Sequence, residues 1–154
     1  MFARGVCFAY FALMLVTPPQ TTEAHGARLA LQYEPAVIEI SGKLLTRTYP
    51  GPPNYESVRS GDRPETCWIL HLTEPADVVA ADADDLNESE PGVREVQLAF
   101  LSDKKYPSLL RPGRKVNITG RLFSAHTGHH HTKVLVEVID MRRGTDEAND
   151  GRGR

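Results

Sequence analysis

The chain is 154 residues long, with 18 Lys and Arg against 20 Asp and Glu, six His and a formal net charge of −2. That near-neutral balance argues against a nucleic-acid partner, whose phosphates call for a basic surface. It has two cysteines, Cys7 and Cys67, and if the first is lost with a leader the rest holds no internal disulfide and must be stabilised by its core.

Residues 1–24 read as a signal peptide. Met1-Phe-Ala-Arg4 supplies one positive charge, Gly5 to Val16 is an uncharged apolar run too short to span a bilayer comfortably, and Pro18-Pro19 breaks it. Ala24 suits the position before the cut. Cys7 precedes the apolar run instead of closing it, so there is no lipobox. The expectation is an exported, periplasmic chain with no stable membrane anchor after cleavage. Residues 25–143 are expected to form one domain, and the polar stretch 144–154, with no apolar anchor, a disordered tail.

Five segments carry strand patterns. Val37 to Leu45 alternates, with Ile38, Ile40 and Leu44 on one face, and Gly42 sits where a strand would bend sharply. Cys67 to Leu72 is a denser apolar run, in which Cys67 reads as a small buried hydrophobe. Arg94 to Leu101 alternates through Val96, Leu98 and Phe100. Lys115 to Phe123 repeats the first pattern, with Val116, Ile118 and Leu122 inward and a mid-strand Gly120. Lys133 to Ile139 closes the set through Val134, Val136 and Val138. Between the third and fourth segments, Pro107 and Pro112-Gly113 bracket room for one short helix over residues 104–112. Three strands, a short helix and two strands, with glycine kinks in strands one and four, predict an all-β, five-stranded barrel of the oligonucleotide/oligosaccharide-binding (OB) type.

Such barrels meet ligands at the loops joining strands one to two and four to five. Here those are Thr46–Glu65, rich in Pro, Gly, Asn and Ser, and the run Ser124-Ala-His-Thr-Gly-His-His-His-Thr132. Four of the six histidines fall within six residues there, a density that neither a core nor strand propensity asks for. Tyr49, Asn54, Tyr55 and Glu56 of the long loop, with His126, His129, His130 and His131, are the candidate ligand-binding residues. If the inward faces of strands four and five pair, Leu122 faces Val134, Ser124 faces Thr132 and His126 faces His130 across a tight turn. His126 and His130 are then the candidate ligands for zinc or copper, with Glu56, Tyr55 or Asp62 completing the set. The acidic loop 77–92 lacks the spacing and glycine pivot of a calcium loop and reads as a solvated surface. No nucleophile elbow, phosphate loop or catalytic triad is present.

The stretches Pro50-Gly-Pro-Pro-Asn-Tyr-Glu-Ser57, Arg94-Glu-Val-Gln-Leu98 and Gly120-Arg-Leu-Phe-Ser-Ala-His-Thr-Gly-His-His-His-Thr132 are similar to a bacterial exported domain family of unknown function. The resemblance runs from about Tyr33 to Ile139. It implies a bacterial, periplasmic protein and brings no activity with it. The leading reading is an exported binding module that engages a cell-envelope ligand or protein through the two loops. A periplasmic zinc- or copper-binding protein comes second and a small metalloenzyme third.

Overall fold

The computed structural model describes residues 28–82, 84, 86–101 and 106–145. The expected signal peptide and the tail beyond Thr145 lie outside them. The described residues form an all-β domain of six strands: β1 (Leu29–Gln32), β2 (Ile38–Pro50), β3 (Pro64–Val79), β4 (Glu90–Ala99), β5 (Lys115–Ser124) and β6 (Val134–Arg143). A three-residue 3-10 turn, Val58–Ser60, interrupts the β2–β3 loop.

Five of the strands close into a barrel. β2 pairs with β3, β3 with β4, β4 with β6, β6 with β5, and β5 returns to β2. The β4–β6 pairing is parallel and the other four are antiparallel. β1 lies outside the ring, parallel to β3. Strand alternation fills the interior. Ile40 and Leu44, Leu70 and Leu72, Val96 and Leu98, Val116, Ile118 and Leu122, and Val134, Val136 and Val138 are all buried in one cluster. Fully burying a side chain of this kind is worth roughly 1.5–3 kcal/mol, so this set can hold the domain without a disulfide.

Both mid-strand glycines sit where the barrel turns a corner. β2 pairs with β5 over Ile38–Lys43 and with β3 over Gly42–Pro50, so Gly42 is where the strand passes from one neighbour to the other. A Cβ at Gly42 would stand 2.3 Å from the His71 carbonyl oxygen, and one at Gly120 would stand 2.3 Å from that of Glu137. Gly120 also borders a register shift between β5 and β6. Only a residue without a side chain lets the neighbouring backbone come this close.

Four expectations need correction. The short helix over 104–112 is not seen among the described residues. From Tyr106 onward the chain makes one turn, with the Tyr106 carbonyl accepting from the N–H groups of Leu109 and Leu110 at 2.9 Å each. Pro112 then has no N–H with which to continue, and so short a segment does not repay helix nucleation. β1 was not expected, because four residues show too little alternation to stand out. β2 and β3 run further than their apolar patterns, leaving 51–63 as the first loop and placing Tyr49 and Glu65 opposite one another on strands. Finally, Leu122 pairs with Val136 and Ser124 with Val134, which keeps the expected faces but moves the register by two residues.

Candidate functional site

The topology explains why the two loops meet. β4 runs antiparallel to β3 and parallel to β6, with Gln97 paired to Ile69 on one side and to Leu135 on the other. β6 thus begins beside the first half of β3, and the segment entering it crosses the outer face of that strand to meet the loop 51–63.

The first loop is organised by a buried carboxylate. Asp62 Oδ1 accepts from the Asn54 N–H at 2.9 Å, and its Oδ2 accepts from those of Glu56 and Ser57 at 2.8 Å each. The N–H groups of Ser57 and Asn54 are the main cause of the Asp62 carboxyl lying below its ordinary range. With both oxygens engaged, Asp62 serves the loop and is not a free metal ligand. Asn54 and Glu56, two of the expected binding residues, give it their main-chain donors, and both residues are exposed.

This scaffold presents Tyr55, held at a left-handed φ of 60°, to the histidine run. Its hydroxyl lies 2.9 Å from His129 Nε2, and the two rings meet edge-on. His129 Nδ1 lies 3.0 and 2.9 Å from the two oxygens of Glu65. A carboxylate only accepts, so Nδ1 carries the proton, and in the neutral ring Nε2 accepts from Tyr55. Gly128 completes the contact, since a Cβ there would stand 2.9–3.0 Å from three atoms of the Tyr55 ring.

The second loop is also tied to the outer wall of the barrel. In β3 the inward residues are Leu70 and Leu72, so Glu65, Cys67 and Ile69 face outward. Ile69, Gln97 and Leu135 form a row across that wall, and all three are buried outside the main core cluster. The Gln97 side chain holds the segment above them. Its Nε2 donates to the His129 carbonyl at 2.8 Å and its Oε1 accepts from the His131 N–H at 2.8 Å. Its own backbone N–H donates to Thr132 Oγ1 at 3.0 Å.

His131 is consequently packed down. Its ring stacks on Tyr49 with centroids 4.2 Å apart and planes 8° from parallel. Its side chain is 10% exposed, and Nε2 lies 3.7 Å from Glu65 Oε2. That nitrogen is buried without a hydrogen-bond partner among the described residues. Cys67 lies beside it, so that one donor atom from each of Glu65, Cys67 and His131 falls within 4.8 Å of the others. Burial pushes the Cys67 thiol pKa up, and the Glu65 charge adds to the effect.

His126 and His130 come together as expected, with their rings T-shaped and centroids 4.6 Å apart, both against Phe123. His130 Nδ1 accepts from the His126 N–H at 3.1 Å, and His126 Nδ1 donates to the Ser124 carbonyl at 3.0 Å. Only the Nε2 atoms could then turn to a shared ion. Burial, then the charges of His126, His129 and His131, hold the His130 pKa below the ordinary imidazole value. The side chains of the first loop reach His129, not this pair.

The sequence reading missed Glu65, Cys67 and Gln97 as site residues. A signal was available. The inward register of Leu70 and Leu72 puts Cys67 on the outward face, where a buried thiol requires something to cover it.

A protein-family model described as a domain of unknown function (DUF4431) matches residues 95–142. The matched stretch runs from within β4 to within β6 and includes Gln97 and the whole histidine run. No curated protein and no solved structure matches the chain.

Proposed function

We propose that this protein is an exported, periplasmic binding module of the OB type, engaging a cell-envelope ligand or protein through the loop 46–65 together with the loop 124–132. The ring order β2–β3–β4–β6–β5, with its parallel β4–β6 seam, supports the OB reading, since that fold closes its five strands in this order. The observation that carries the functional reading is the docking of the two loops through Tyr55, His129 and Glu65. It places two tyrosines, a carboxylate and the histidines in one neighbourhood, already ordered by Asp62 and Gln97. A surface whose donors and aromatic faces are fixed in advance loses little conformational freedom on binding.

The test is nuclear magnetic resonance titration of the isotope-labelled, metal-free mature protein with muropeptides and with lipopolysaccharide oligosaccharide. It is paired with a photo-crosslinking side chain at exposed Asn54 in intact cells. Shift changes confined to 49–65 and 124–132, lost in Tyr55→Ala, or a crosslink to one envelope protein from Asn54 and not from a control position at Arg111, are expected. Silence of both loops in the titrations, with crosslinking no stronger from Asn54 than from Arg111, refutes the reading.

A further inference from the structure

The outer wall beneath the histidine run holds a donor set that the loop–loop contact does not use. We infer that Glu65, Cys67 and His131 form a three-residue binding site for a zinc ion, distinct from the His126–His130 pair. The carboxylate, thiolate and imidazole ligands suit a borderline-soft divalent cation, and three protein ligands leave a fourth position for water or an incoming donor.

Three observations point to an ion at this spot. The first is spacing. Tetrahedral zinc with ordinary bond lengths sets nitrogen, oxygen and sulfur ligands about 3.4–3.6 Å apart. His131 Nε2 and Glu65 Oε2 already stand 3.7 Å apart, and no pair in the set exceeds 4.8 Å. Side-chain rotations of about 1 Å close the difference. The second is His131 Nε2 itself. It is a buried polar atom with no hydrogen-bond partner among the described residues, on a side chain nine-tenths buried. Such an atom is costly unless something coordinates it.

The third is the support around the ligands. Tyr49 stacks flat on the His131 ring and the Gln97 amide fixes its backbone, so the residue is pinned in place and the imidazole cannot swing out without losing the stack. Glu65 can turn Oε2 to the ion while Oε1 keeps its 3.0 Å contact with His129 Nδ1. A ligating carboxylate that keeps an outer hydrogen-bond partner, here His129, is usual around zinc. Cys67 sits between them on the same strand face, two residues from Glu65. On this account its burial keeps the thiol from oxidation, and no second cysteine lies among the described residues to pair with it.

The inference does not depend on what the loops bind, and its test is separate. Tag-free, metal-stripped protein is titrated with zinc against a chromophoric chelator, and with cobalt as a spectroscopic stand-in. One equivalent of zinc should bind, and cobalt should give a thiolate-to-metal charge-transfer band. Cys67→Ser and His131→Ala should each weaken zinc by more than about 100-fold, and Cys67→Ser should abolish the band. The double variant His126→Ala/His130→Ala should bind as the parent does. Circular dichroism and a melting curve on each variant confirm folding. Should Cys67→Ser not fold, the absence of the cobalt band in the parent protein alone refutes the inference. It is equally overturned if the folded parent takes up no stoichiometric zinc. Binding that survives Cys67→Ser and disappears in the His126/His130 double variant would move the site to that pair and defeat it too.

Discussion

Replacing Gln97 by leucine isolates the device that hangs the histidine run on the barrel. Leucine keeps an apolar side chain of similar reach in the row between Ile69 and Leu135, and it removes both arms of the amide. The His129 carbonyl and the His131 N–H, each bonded at 2.8 Å, then lose their partners next to a buried wall. Two such bonds at about 1 kcal/mol each, plus the cost of leaving the groups poorly solvated, give a loss of about 2–3 kcal/mol. For a domain of this size roughly 4 °C accompanies each kcal/mol, so the melting temperature should fall by about 8–12 °C. Native-state hydrogen exchange gives the local reading. Protection of the His131 amide should drop by about 30-fold or more, the factor equivalent to about 2 kcal/mol, while β2 and β5 amides fall only as far as global stability does. A variant that melts within about 2 °C of the parent, with the His131 amide as protected as before, would show that the loop is held by other contacts and that the Gln97 amide is incidental.

Three further outcomes follow from the geometry. Gly42→Ala or Gly120→Ala forces a Cβ against a backbone carbonyl that cannot step aside and should cost about 3 kcal/mol in denaturant unfolding; a parental midpoint would refute the close-approach argument. Asp62 has a folded pKa below its unfolded value, so its contribution is fully present above about pH 4 and is lost as pH falls through the depressed value. The stability gap between parent and Asp62→Asn should accordingly shrink on acidification, and a gap constant with pH would contradict the role of the three backbone donors. In metal-free protein His130 should titrate below about 6.5, the ordinary imidazole value. Its folded pKa is depressed, so its share of stability is complete above that pH and declines as pH falls through the depressed value. His130→Gln should flatten that part of the stability profile, and an unchanged slope would contradict it.

The barrel was readable because its core alternates. Ile40, Leu44, Val116, Ile118, Leu122 and the Val134–Val136–Val138 series announce their faces two residues at a time, and Gly42 and Gly120 mark the bends. The strand ends were less readable. Thr46 to Pro50 and Pro64 to Thr66 carry polar or proline residues, and they are strands because each has a partner across the sheet, a long-range fact. The site was half readable. Histidine density and the length of the first loop marked two segments that do come into contact, and His126 and His130 do meet. The choice of His129 and His131 as the histidines that reach the long loop and β3 was not readable. It depends on Gln97, a residue distant in sequence whose side chain gives no pattern, and on an outward face of β3 that becomes an interior only when the loop folds over it.

The parallel contact between β4 and β6 spans three residue pairs, Gln97–Ala99 with Leu135–Glu137. It is the shortest seam of the ring, beside five pairs between β3 and β4, six between β2 and β5, and nine each between β2 and β3 and between β5 and β6. It is also the seam on which the histidine run hangs. Any opening that unzips it carries His129 and His131 away from Glu65, Tyr49 and Cys67 together. Site assembly and barrel closure are thus one equilibrium, and whatever occupies the site acts as a latch. At a free concentration 100 times its dissociation constant, an occupant adds about 2.7 kcal/mol to the closed form. A chain whose seam is open would have no site to fill.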